Sequence, residues 1–333
     1  MSDPNQQFQP PPPPPPTETE PERKRPAYLM IAGIVLFVLG VLVAVTGIMG
    51  WVVGGLGTGG ALCALGVLFA AFSFIRLPYV PDPPPPMSTA GRITSIFFEP
   101  TRVFRSLRAH PEWLIALLIA GILSAAYVIT FTRRVTPERI INFTADKMAE
   151  VSWIPPEAVE RTRTEGLEQA KAPSFQAGAV VRRIVATYFV AAALAALYLV
   201  GVLAFGGRMH FWQSMSVVAY VALPVTIISK LISFIVLFVK NPEDIHPLIG
   251  QEGLVYDNLG LLVSAKDHPV IWVAATAIGV LSFYRLWLTA TGLREAGYKV
   301  SKTAGWGVAV TFWVLGLLFG IASAFIFPSF LGD

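Results

Sequence analysis

Seven apolar runs punctuate the chain, at 28–49, 59–75, 111–131, 184–205, 214–239, 269–288 and 305–327. Each is near the roughly 20 residues that cross the about 30 Å hydrocarbon core of a bilayer. The pattern predicts an all-α fold, a polytopic membrane helix bundle of about seven transmembrane helices. The first two runs are joined by the short turn GWVVGGLGTGG and form a hairpin over 27–76. Gly55, Gly57 and Gly60 stand there at G-x-G-x-x-G spacing. A dinucleotide fingerprint needs a preceding strand and a βαβ context. Between two membrane helices, small residues predict close helix packing instead. A stiff proline-rich linker, 77–87, separates this hairpin from the rest.

The polar stretches differ in kind. Residues 1–26 carry seven consecutive prolines, Pro10 to Pro16, followed by TETEPERKRP. This tail has too little apolar content to fold and predicts disorder with polyproline-II character. It is either a solvated tail or a ligand for a groove-binding protein partner. In segment 88–111, Val103, Phe104 and Leu107 share one helical arc, and Arg102, Arg105 and Arg108 share another. Such a basic amphipathic helix either lies in the headgroup layer or packs on the bundle. The three arginines are therefore candidate lipid-headgroup contacts. The polar loop 133–178 predicts two solvated helices, 137–151 and 156–171, each opened by an early proline. Residues 112–328 form the five-span part that contains this loop. A second loop, 241–268, is partly apolar and either lies on the membrane or re-enters it.

Composition supports the membrane reading. Of the 333 residues, 54% are hydrophobic and 14% charged, against about 25% charged in soluble domains. The mean hydropathy is +0.61. The net charge of +4 is small, and the basic residues flank the apolar runs. Anionic lipid headgroups are therefore the expected partner, and nucleic acid is not. The single cysteine, Cys63, excludes an intramolecular disulfide. Arg23, Lys24 and Arg25 abut the first run and place the N-terminus in the cytoplasm. Alternation then puts 77–111 inside, 133–178 outside and the C-terminus outside.

Candidate chemistry is sparse. No Asp or Glu lies within the apolar cores, and the four histidines sit apart at run boundaries without metal-ligand spacing. No catalytic residue, cofactor or metal is expected, and the chain is not read as an enzyme. Two cations lie deep in the runs, Lys230 and Arg285, and form a candidate intramembrane polar site. Lys230 marks a polar cavity, or a span shorter than drawn. Backbone carbonyls, hydroxyls or a folded-back 241–268 loop are among its candidate partners. Pro224 cannot donate to the Tyr220 carbonyl and is a candidate helix kink.

Three stretches then carry a resemblance. They are ITSIFFEPTRVFRSLRAHPEWLIALLI, FGGRMHFWQSMSVVAYVALP and PVIWVAATAIGV. With their order and the five-span pattern, residues 92–327 resemble the Yip family of Ypt/Rab-interacting multi-pass membrane proteins, in its bacterial-style form. The resemblance implies a helical bundle in the plasma (inner) membrane of a bacterium, with a cytoplasmic N-terminus and an extracytoplasmic C-terminus. For bacterial-style members it implies only a general membrane role, and the leading reading is a non-enzymatic, membrane-organising or scaffold protein. The other reading is a transporter or channel-like protein for a small solute or lipid. A protein partner through the tail or bundle, or a homo-oligomer, stays open. A water-filled or lipid-sized cavity reaching Lys230 would favour transport.

Overall fold

The computed structural model describes residues 25–80, 83, 85–255 and 257–331. Most of the proline-rich tail therefore lies outside the described residues. Helices account for every apolar run. The hairpin is α1 (Ala27–Ile48) and α2 (Gly55–Ser73). Two short helices follow, α3 (Thr89–Ser95) and α4 (Pro100–Ala109), then α5 (Leu114–Val135). The polar loop folds as α6 (Pro137–Ala149) and α7 (Pro156–Ala170). The long helices α8 (Pro173–Ala204) and α9 (Phe211–Val239) come next. The chain closes with α10 (Ile249–Glu252), α11 (Pro269–Thr276), α12 (Val280–Ala296) and α13 (Lys302–Ile326). Six of these, α1, α2, α5, α8, α9 and α13, are long and apolar enough to cross a membrane.

The seventh predicted span is two helices. The run 269–288 breaks at Ala277–Gly279, between α11 and α12. The 241–268 loop satisfies the backbone at the break. Leu259 N–H donates to the Ile278 carbonyl (3.1 Å), and Val280 N–H donates to the Asp257 carbonyl (3.3 Å). The Asp257 carboxylate accepts from Leu281 N–H at 2.6 Å. Irregular backbone at membrane depth is tolerated only where protein or water covers it. Beside the break, Leu261 and Leu262 are 64% and 82% exposed, a leucine pair facing outward from the loop.

α1 is apolar all round and buries only Leu29, Gly33 and Gly40. Its exposed faces, such as Ile31 and Leu42, suit a lipid solvent. Its buried stripe is glycine. Gly33 meets Gly66, Gly40 meets Gly59, and Gly47 meets Gly55; a Cβ at Gly59 would lie 2.4 Å from the Gly40 carbonyl oxygen. One expectation is corrected here. Gly55 does serve close packing, but Gly57 and Gly60 have nothing within 4 Å. They point away from α1, because helical periodicity selects Gly55, Gly59 and Gly66 for the contact face.

The hairpin docks on the bundle through an aromatic cluster. Phe69 and Phe72 of α2 meet Trp113, Tyr188 of α8, and Phe211 and Trp212 of α9. Trp113 and Trp212 stack with centroids 5.9 Å apart. The Trp212 indole N–H is satisfied by the Ile75 carbonyl at 3.1 Å.

Contacts show which connections share an end of the bundle. Ser174 donates to the Val53 carbonyl, Arg139 to the Pro242 and Glu243 carbonyls, and Trp153 touches Phe327. At the opposite end, Arg208 and Tyr298 form an antiparallel bridge, and Arg105 pairs with Glu295. α9 therefore finishes, and α13 starts, at opposite ends. The broken pair α11–α12 carries the chain across between them.

Candidate functional site

The end of the bundle that holds α4 is knitted from four segments. Ser88 caps α3 by accepting from Gly91 N–H at 3.1 Å. α3 stops before Pro100, whose ring disfavours helical geometry at Glu99. The turn between them leaves Phe98 86% exposed. α4 then buries Val103, Phe104 and Leu107 completely. Phe104 lies against Gly292 of α12, where a Cβ would come within 3.0 Å of the ring. The apolar arc of this amphipathic helix thus faces the bundle.

The three predicted arginines share this end and differ in environment. Arg105 Nε donates to Glu295 Oε2 at 2.7 Å. Arg294 Nε donates to Glu295 Oε1 at 2.8 Å. Burial pushes the Glu295 carboxyl up, but the hydrogen bonds and charges of Arg105 and Arg294 outweigh it and hold the carboxyl below its ordinary value. The Arg108 guanidinium stands 5.5 Å over the Tyr298 ring, and its backbone carbonyl accepts from Gln213 Nε2 at 2.8 Å. Arg102 points outward with 69% of its side chain exposed and pairs with Glu99 at 3.1 Å. Exposed pairs of that type contribute little. Beneath them Arg92 is fully buried; its Nε reaches Ser106 Oγ at 3.2 Å and its Nη1 pairs with Glu112 at 2.5 Å.

Lys230 belongs to the other half of the bundle. Its Nζ donates to the Glu252 carbonyl and stands 4.6 Å over the Tyr127 ring. The Tyr127 hydroxyl donates to the Gly250 carbonyl at 2.7 Å, and Ser233 Oγ accepts from Leu254 N–H at 2.9 Å. The folded-back loop is thus a partner of this lysine. Arg285 is exposed and lines two cavities, one of them together with Glu252. Pro224 is buried in α9, which runs through it without a break.

Sequence reasoning missed Arg92, Glu112, Glu295 and Tyr298. Glu295 left one signal, as the single acid of the basic turn LREAGYKVSK. Arg92 left none, since burial of one arginine among several is a tertiary property. Among the described residues, no group of His, Cys, Asp and Glu is arranged to hold a metal ion.

A family model for the Yip1 domain matches residues 94–324. No curated protein and no solved structure matches the chain.

Proposed function

Since this chain belongs to the Yip1 domain family, and is an integral membrane protein of several apolar helices, we propose that it is a non-enzymatic membrane-organising scaffold of a bacterial-style plasma membrane. Its α4 end faces the cytoplasm, the C-terminus lies outside, and the cytoplasmic end gathers anionic lipid. The observation that carries this reading is the charge of a rigid surface. Around α4 the chain exposes Arg76, Arg102, Arg105, Arg208, Lys299 and Lys302. Against them stand the exposed acids Glu99 and Glu112 among the described residues. Burial of Val103, Phe104 and Leu107 and the Arg105–Glu295 pair fix this platform to α12. The opposite end is balanced, with nine basic and seven acidic residues over 133–183.

A basic surface beside an anionic leaflet gains about 1 kcal/mol per Lys or Arg, and the gain fades within a Debye length as salt rises. The exposed Phe98 adds an aromatic side chain at headgroup level. Polymer-extracted discs of the full chain from mixed membranes are expected to carry several-fold more phosphatidylglycerol than the bulk lipid. The quadruple variant Arg102→Gln, Arg208→Gln, Lys299→Gln, Lys302→Gln is expected to lose most of that enrichment, as is extraction at high salt. Equal lipid composition in the native and quadruple-variant discs would overturn the reading.

A further inference from the structure

Two cavities of the bundle share three lining residues. The larger, about 640 Å³, lies between α8, α11, α12 and α13, with Val273, Phe312 and Phe319 in its wall. The smaller, about 390 Å³, lies between α8 and α9 and reaches the Arg183–Glu252 ion pair. Arg285, Leu194 and Tyr198 line both. Volumes of about 300–1,000 Å³ are those of small-ligand sites.

Arg285 lies ten residues before Glu295 on α12, about 15 Å along the helix. That places it well along the length of the bundle, at an exposed position of α12. Charges at such depth are costly unless something compensates them. Several other cations of the bundle have acceptors within the chain. Lys230 has the Glu252 carbonyl, Arg182 has the Thr58 hydroxyl, Arg183 has Glu252, and Arg92 has Glu112. Among the described residues, no acceptor takes a hydrogen bond or ion pair from the Arg285 guanidinium. A ligand can therefore supply its counter-charge.

We propose that Arg285 holds the phosphate of an anionic phospholipid. The acyl chains occupy the larger cavity, and the headgroup lies in the smaller one below the Arg183–Glu252 pair. A lipid fits better than a free anion because the walls are mainly apolar. Phe319 of the larger cavity is 76% exposed on α13, so that cavity opens towards the acyl layer. This site is distinct from the basic platform: Arg285 lies about 15 Å along α12 from Glu295, and the platform's four substituted residues do not line it.

The test uses the purified full chain in neutral detergent, with phosphatidylglycerol or phosphatidylcholine added and bound lipid read by native mass spectrometry. Arg285→Gln is expected to weaken phosphatidylglycerol binding by about tenfold to a hundredfold, the worth of charge-assisted hydrogen bonds. Phosphatidylcholine, whose own choline offsets its phosphate, is expected to bind the native protein more weakly and to lose less affinity in the variant. Arg285→Lys should retain part of the preference. Leu194→Trp, which fills the shared wall without changing charge, should also reduce binding; it decides the matter if Arg285→Gln fails to fold. The platform quadruple variant should bind this lipid as the native chain does, and inorganic phosphate should not displace it. Undiminished phosphatidylglycerol binding in Arg285→Gln or Leu194→Trp would overturn the proposal. So would displacement by inorganic phosphate, which would mark a site for a free anion.

Discussion

Leucine at Gly59 is expected to force the α1–α2 hairpin apart, while leucine at Gly60, the next residue, is expected to leave it intact. The reason is which atoms stand in the way. A Cβ at Gly59 would lie 2.4 Å from Ala44 N and from the Gly40 carbonyl oxygen. Those are backbone atoms of α1, so only separation of the helices relieves the clash. A Cβ at Gly60 meets nothing within 4 Å. Overpacking a well-fitted interface costs about 1–3 kcal/mol, occasionally more. Gly59 belongs at the upper end, because parting the hairpin also strips its neighbouring glycine contacts. Thermal unfolding of the detergent-solubilised variants should place Gly59→Leu about 5 °C or more below the native protein. Gly60→Leu should stay within about 1 °C of native, the range of a neutral surface change. Equal losses would mean that α1 and α2 do not meet through the Gly40–Gly59 face.

The second large effect is an asymmetry within one ion pair. Arg92 is wholly buried and its partner Glu112 has 49% of its side chain exposed. Removing the two partners therefore leaves different things behind. Arg92→Met substitutes an apolar chain and leaves Glu112 half in water. Ser106 keeps its bond to the Val103 carbonyl. That variant is expected to cost about 1 kcal/mol, near the usual size of a point substitution. Glu112→Ala instead strands a buried guanidinium without its carboxylate partner. Uncompensated buried charges cost about 3–5 kcal/mol, and the half-wet carboxylate argues for the lower figure. Thermal unfolding of both variants reads the difference directly. Similar losses from the two would contradict the burial of Arg92.

The apolar runs disclose the helices because each must supply its own backbone hydrogen bonds in lipid. The paired helices of the polar loop are disclosed by Pro137 and Pro156, which stand at their first turns. The break at Ala277–Gly279 lies within an apolar run, and its hydrogen-bond partners Asp257 and Leu259 sit in a loop about 20 residues upstream. Local pattern does not carry that information. The same holds for Arg105, whose partner Glu295 is 190 residues away. Arcs on a helical wheel place Val103, Phe104 and Leu107 together, but they do not say whether the apolar side meets protein or lipid. Burial of all three against the bundle answers that. For Lys230, sequence allows several partners, and the folded-back loop supplies one through the Glu252 carbonyl. Lys230 lines neither of the two cavities that Arg285 lines.

The basic platform can organise anionic lipid of the inner leaflet only if the α4 end faces the cytoplasm. Cysteine labelling in intact cells tests this most directly. Cys63 is first replaced by alanine, then single cysteines are placed at two exposed positions, Ala90 on α3 and Lys171 after α7. A membrane-impermeant maleimide is expected to label the Lys171→Cys protein in intact cells and the Ala90→Cys protein only after permeabilisation. Labelling of Ala90→Cys but not Lys171→Cys in intact cells would place the basic platform outside and contradict the account.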